Sequence, residues 1–162
     1  DTQAIDALTE ERTMIFCDHT SAGKMNSKRV TIMKPGKEII LFGNIKVETI
    51  AAYNTTEGHT QFHPKEREDC GYIFNIGGSH IYVSGDTENT PEMKSLKDID
   101  VAFLPVNQPF TMTVDEALDA IKTIHPKVFY PYHYGGTDQK TDINRLTEEG
   151  KKYTDVRIRN ME

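Results

Sequence analysis

The chain is poor in the features that mark several common protein classes. It has two cysteines in 162 residues, Cys17 and Cys70, and they form no Cys-x-x-Cys pair. The default expectation is two free thiols in a reducing cytoplasm. No apolar run approaches the ~18 residues that a membrane span needs, and no secretory leader is visible. Positive charge is not in excess: 19 Lys and Arg stand against 25 Asp and Glu, a formal net charge of -6. General nucleic-acid binding, which rests on a basic stripe, is therefore not expected. There is no Gly-x-Ser-x-Gly elbow to present a nucleophilic serine. Gly77-Gly78 has neither the spacing nor the following helix of a dinucleotide-binding loop. Repeats and low-complexity linkers are absent. Hydrophobic residues make up 36% of the chain, low for a free-standing globule, although 162 residues suffice for one domain with a core.

What is present is a regular alternation of short apolar runs and turn signals. Periodicity predicts helices over 2–11, 21–25, 91–96, 113–124 and 141–150. Strands are expected over 13–17, 29–33, 38–41, 45–52, 72–76, 80–84, 101–104, 128–130 and 156–158. Thr113 and Glu116 form a capping box, Gly150 is placed as a helix stop, and Gly77-Gly78 closes a tight hairpin. Residues 54–70 are polar and aperiodic, a length of loop that is usually functional or disordered. Strands come first as meanders and then alternate with helices, which suits sheets covered by helices on an outer face.

Three strand ends carry the chemistry. His63-Pro64, Gly85-Asp86-Thr87 and Tyr132-His133-Tyr134-Gly135 each place a His or an Asp in a Gly- or Pro-flanked turn after a β-rich run. Ends of strands on one sheet edge can converge. Two imidazoles and one carboxylate suit a borderline divalent cation such as zinc, with Asp86 placed to bridge two ions and each His to give one nitrogen. The plainer readings are an Asp that shapes a turn and histidines with backbone or solvent partners. His59, in Gly58-His59-Thr60, competes with His63 for the first imidazole.

The ordered set Phe62-His63-Pro64-Lys65, Gly71-Tyr72-Ile73, Ile81-Tyr82-Val83-Ser84-Gly85-Asp86-Thr87, Pro91-Glu92-Met93, Asp100-Val101-Ala102-Phe103-Leu104-Pro105, Phe110-Thr111-Met112 and Pro131-Tyr132-His133-Tyr134-Gly135 resembles the C-terminal two-thirds of a metallo-β-lactamase-fold hydrolase. The branch it is most similar to is that of the ascorbate-6-phosphate lactonases and related metal-dependent hydrolases. The resemblance runs from about Thr2 to Gly136 and implies an α/β (α+β) fold, an αββα sandwich, over one domain of residues 1–162. It implies His63, Asp86 and His133 as metal ligands, with Asp86 and His133 also catalytic, and Asn54 and Tyr134 near the substrate. His63 fits this branch better than His59.

One departure is informative. The family's first metal motif, His-x-His-x-Asp-His, is absent, since no two of the six histidines are separated by a single residue. In the family that motif precedes a helix resembling residues 1–8, so the N-terminal part is expected to be missing from this sequence. The function implied is a metal-dependent hydrolase that activates water against a carbonyl or phosphoryl centre, impaired in this chain alone. Its expected cofactor is a divalent metal, zinc first, then manganese or another. Its expected partner is a small molecule, anionic if Lys65 or Arg67 meets it. Neither nucleic acid nor membrane is expected, and a homo-oligomer stays open. The alternative is a metal-free scaffold or binding module that keeps the fold.

Overall fold

The computed structural model describes residues 2–161. Fourteen helices and strands follow in the order α1 (Thr2–Leu8), β1 (Ile15–Cys17), α2 (His19–Ala22), β2 (Val30–Ile32), β3 (Glu38–Leu41), β4 (Ile45–Ala51), β5 (Cys70–Ile76), β6 (Ser79–Val83), α3 (Pro91–Lys94), β7 (Val101–Pro105), α4 (Val114–Ile124), β8 (Val128–Tyr132), α5 (Ile143–Gly150) and β9 (Asp155–Val156). Residues 54–69 hold only a single 3-10 turn, Lys65–Arg67, and β5 takes in Cys70 at the end of the expected loop. Residue 1 of the helix expected at the start lies outside the described residues.

β3 to β9 form one seven-stranded sheet in sequence order. β3 through β6 are an antiparallel meander, and β6 through β9 run parallel. Parallel neighbours need crossovers, which are right-handed in nearly all folds. Three crossovers that step in the same direction put α3, α4 and α5 on one face. There they bury Met93, Leu118, Ile121 and Leu146 against Tyr82, Leu104 and Phe129 of the sheet. The opposite face carries Ile39, Leu41, Phe74, Val83 and Phe103, all only half buried. The separate two-stranded parallel sheet β1–β2 reaches part of it. Phe16 of β1 lines a small apolar cavity of about 220 Å³ with Ile39, Leu41, Val47, Tyr72 and Phe74.

Helix ends match expectation for α4 and for the last residue of α5, while α1 stops at Leu8, α2 lies at His19–Ala22 instead of 21–25, and α3 stops at Lys94. Thr113 accepts from the Glu116 N–H at 3.1 Å, and Glu116 accepts from the Thr113 N–H at 2.8 Å, so the capping box is complete. Gly150 corrects an expectation. It is the last helical residue, not a left-handed stop, and Lys151 caps in the right-handed region. A Cβ at Gly150 would lie 2.9 Å from Val156 Cγ2, so close packing of α5 on β9 requires the glycine.

Candidate metal centre

β4, β6, β7 and β8 all point the same way, so their carboxyl ends share one edge of the sheet. Crevices outside the carboxyl ends of strands are where α/β sheets bind ligands. Asp86 follows β6, His133 follows β8, and Asn54 follows β4. The loop after β4 brings His63 back to the same edge, because the Asn54 N–H donates to the His63 carbonyl at 2.8 Å.

The three expected ligands meet at Asp86. His63 Nε2 lies 3.9 Å from Asp86 Oδ2, and His133 Nδ1 lies 3.4 Å from Asp86 Oδ1. Each imidazole thus faces a different oxygen of one carboxylate. His59 is elsewhere: its Nδ1 lies 3.3 Å from Glu88 Oε1.

The turn that presents Asp86 is fixed by close approach. Gly85 has φ 69°, and a Cβ there would sit 3.0 Å from the Cys70 carbonyl oxygen. The Gly85 carbonyl accepts from Tyr132 Oη at 2.7 Å and Ser84 Oγ at 2.9 Å. Burial pushes the Tyr132 hydroxyl well above its usual range, so it stays a proton donor. His133 itself takes φ 51°, a left-handed conformation unusual for a side chain that has a Cβ. Its N–H donates to the Met161 carbonyl at 2.7 Å, and Tyr134 Oη donates to the Arg159 carbonyl.

His63 is buttressed from behind. Arg67 Nη2 lies 2.8 Å from His63 Nδ1, and Arg67 Nε donates to Asp69 Oδ2 at 2.6 Å. Burial opposes ionisation of Asp69, but the neighbouring His63 and the Arg67 bonded to it hold its carboxyl below the usual range. A guanidinium only donates, so Nδ1 accepts and the ring proton sits on Nε2, facing Asp86. Asp69, 4.0 Å from Nδ1, is the acceptor available if that proton moves.

A cleft of about 450 Å³ opens in front, lined by Cys17, His63, Arg67, Asp69, Cys70 and Asp86 among others. Burial pushes the Cys70 thiol up to about 11, which keeps it protonated at neutral pH. Asn54 is placed differently. It is 3% exposed, its amide donates to the His59 and Phe110 carbonyls, and it lines a separate hollow of about 390 Å³ with Tyr53, Pro64 and Lys65. Lys65 is tied to Tyr53 Oη at 3.1 Å and Glu92 at 3.0 Å.

The model of the β-lactamase superfamily domain matches residues 2–133. The chain belongs to the metallo-β-lactamase superfamily. A crystal structure from Parabacteroides distasonis, named a candidate metal-dependent hydrolase, is 43% identical and superposes with a TM-score of 0.89 over 100% of this chain and 71% of that one. A UPF0173 metal-dependent hydrolase of Methanosarcina mazei is 29% identical over 98% of this chain and 69% of its own length. A relative with the same designation in Symbiobacterium thermophilum is 37% identical over 62% of this chain, which is 44% of that protein. The chain thus spans less than half of some relatives that it matches.

The donor set fits the metal chemistry of the superfamily in part. Among the described residues, no three His, Cys, Asp or Glu side chains are grouped to hold one ion. A carboxylate with one imidazole against each oxygen instead suits a ligand shared by two ions. A ligating His ordinarily has a hydrogen-bonded outer partner; here Arg67 occupies that place at Nδ1, and the Asp69 carboxylate stands 4.0 Å behind it. Asp69, Glu88 and Tyr132 were not among the residues expected from sequence. Asp69 carried one readable signal, its place two residues from Arg67; the burial of Glu88 and the reach of Tyr132 carried none.

Proposed function

We propose that the protein acts as a metal-dependent hydrolase whose divalent metal would be held by His63, Asp86 and His133, with Asp86 suited to be shared between two ions. The observation that carries this reading is the pairing of the two imidazoles with opposite oxygens of Asp86. Zinc matches two nitrogens and a carboxylate best. When bound, such a centre lowers the pKa of water toward ~7 and polarises a carbonyl or phosphoryl bond.

The chain's own residues do the rest. For His63 to offer the Nε2 lone pair its proton must sit on Nδ1, which requires Arg67 Nη2, now 2.8 Å from Nδ1, to turn away and Asp69, 4.0 Å off, to close in as the acceptor. Tyr132 and Ser84 hold the Gly85 carbonyl and so fix where Asp86 leaves the sheet. Arg67 is a cation in the cleft wall that an anionic substrate would meet. Within the superfamily, a lactonase-like carbonyl substrate is the finer reading. Of the two residues expected near the substrate, Tyr134 stays a candidate for contact, whereas Asn54 is buried and holds the loop through the His59 and Phe110 carbonyls. A small molecule is the partner of this reaction, and the cytoplasm suits the free thiols. No helix among the described residues is long and apolar enough to cross a membrane.

Elemental analysis of the complete protein beside its Asp86→Ala variant tests the reading. Metal content and hydrolysis are expected to fall together in the variant, by more than about 100-fold in activity, beyond what loss of an outer-shell partner costs. Full activity in Asp86→Ala would sink the proposal. Absence of metal from the wild type would favour the second reading, a metal-free scaffold or binding module that keeps the fold.

A further inference from the structure

We infer that Glu88 is a positioning residue for His63: its buried carboxylate, with His59, holds the 54–63 loop so that it returns to Asp86. Among the described residues Glu88 is the one Asp or Glu that is fully buried. A buried carboxylate must be compensated, and every compensating group comes from this one loop. Oε2 accepts from the Thr55 N–H at 2.7 Å, the Thr56 N–H at 2.7 Å and Thr55 Oγ1 at 3.0 Å. Oε1 faces His59 Nδ1 at 3.3 Å.

The same turn binds the loop at its base. The Glu88 N–H donates to the Tyr53 carbonyl at 3.1 Å, and Thr87 Oγ1 accepts from the Tyr53 N–H at 3.0 Å. The loop then closes on itself through the Asn54 N–H and the His63 carbonyl. Loops with adjacent ends and an interior filled by side chains form compact units. Here the filling side chain is supplied from outside, by the segment that also carries Asp86. Residues 86–88 therefore attach to the loop at two points: Asp86 meets its returning end at His63, and Glu88 occupies its interior. Phe62, beside His63, packs edge-on against Phe110 at 4.8 Å and closes the far side. This also gives His59 a role distinct from metal ligation.

The loop-holding part stands alone, while the link to metal rests on the hydrolase reading. The test is Glu88→Gln in the full chain, which keeps the volume and removes the charge. Hydrogen exchange at the Asn54, Thr55 and Thr56 amides is expected to rise about 10- to 100-fold, the scale of one charge-assisted hydrogen bond, with α4 amides unchanged. Affinity for Co²⁺, used as a visible probe, is expected to fall by about 10- to 100-fold. Unchanged exchange at Asn54 would overturn the loop anchor. Wild-type Co²⁺ affinity and spectrum in a variant whose loop has loosened would overturn the positioning of His63. A wild type that takes up no Co²⁺ would defeat the hydrolase reading and the metal-positioning role with it, leaving exchange to decide the anchor. If Glu88→Gln does not fold, His59→Ala removes one partner only. It should raise exchange at the same three amides about three- to tenfold, and no change would reject the proposal.

Discussion

Gly71 shows how much of the candidate centre depends on a missing side chain. A Cβ there would lie 2.7 Å from the Ser84 carbonyl oxygen, closer than real contacts allow, and that oxygen belongs to backbone that cannot swing aside. Ser84 stands two residues before Asp86, so the clash would push on the ligand turn. Gly71→Ala is expected to destabilise the chain by about 1–3 kcal/mol, the usual cost of overpacking. Urea denaturation of the two proteins measures this, and a difference under about 0.5 kcal/mol would mean that the two strands part without strain. From sequence, Gly71 stands just before the strand expected over 72–76, whereas β5 takes it in. The Gly-Asp-Thr turn was readable because a glycine before an Asp at a strand end signals a special backbone. The partner surface that makes Gly71 obligatory was not readable, because Ser84 is far along the chain.

At the level of elements, the best-read features are those whose physics is local. The capping box of α4 closes between residues three apart, and Thr113 with Glu116 does what the pattern predicts. Thr113→Ala is expected to cost about 1 kcal/mol, seen as a lower denaturation midpoint at unchanged slope. No change would mean that the α4 N-terminus is satisfied by other groups. The hairpin β5–β6 likewise turns at Gly77-Gly78, both at positive φ. Residues 54–70 show the opposite case. They have no period because their order comes from Glu88 and Asn54, which reach them from other parts of the fold or across the loop. Gly150 was legible as a helix end but for another reason than the one that operates, since the side chains that crowd it come from β9 and α4.

For the whole molecule, the sheet divides into a well-covered face and a half-covered one. α3 joins the covered face to the 54–70 region, since Glu92 accepts from Tyr53 Oη at 2.8 Å and Lys65 Nζ at 3.0 Å. Burial raises the Glu92 carboxyl, but these bonds outweigh it and hold it below the ordinary 4.5. A depressed folded-state value means that Glu92 contributes stability that is complete above pH 4.5 and is lost as pH falls through the folded value. Glu92→Gln is therefore expected to lose less stability than the wild type between about pH 5 and about pH 3. Thermal melts across that range test it, and parallel losses would show that Glu92 does not contribute.

The sequence by itself determined the order of strands and helices, the α4 capping box, the Gly77-Gly78 turn and the three segments that carry His63, Asp86 and His133. Each of these depends on residues within a few positions of one another, where propensity and periodicity act. Only the tertiary structure decided that His63 and not His59 faces Asp86, that Asp69 and Arg67 stand behind His63, and that Glu88 is buried inside the loop. Those outcomes depend on which of several chemically equivalent side chains the sheet edge brings within 4 Å, a matter of chain path that local patterns do not encode.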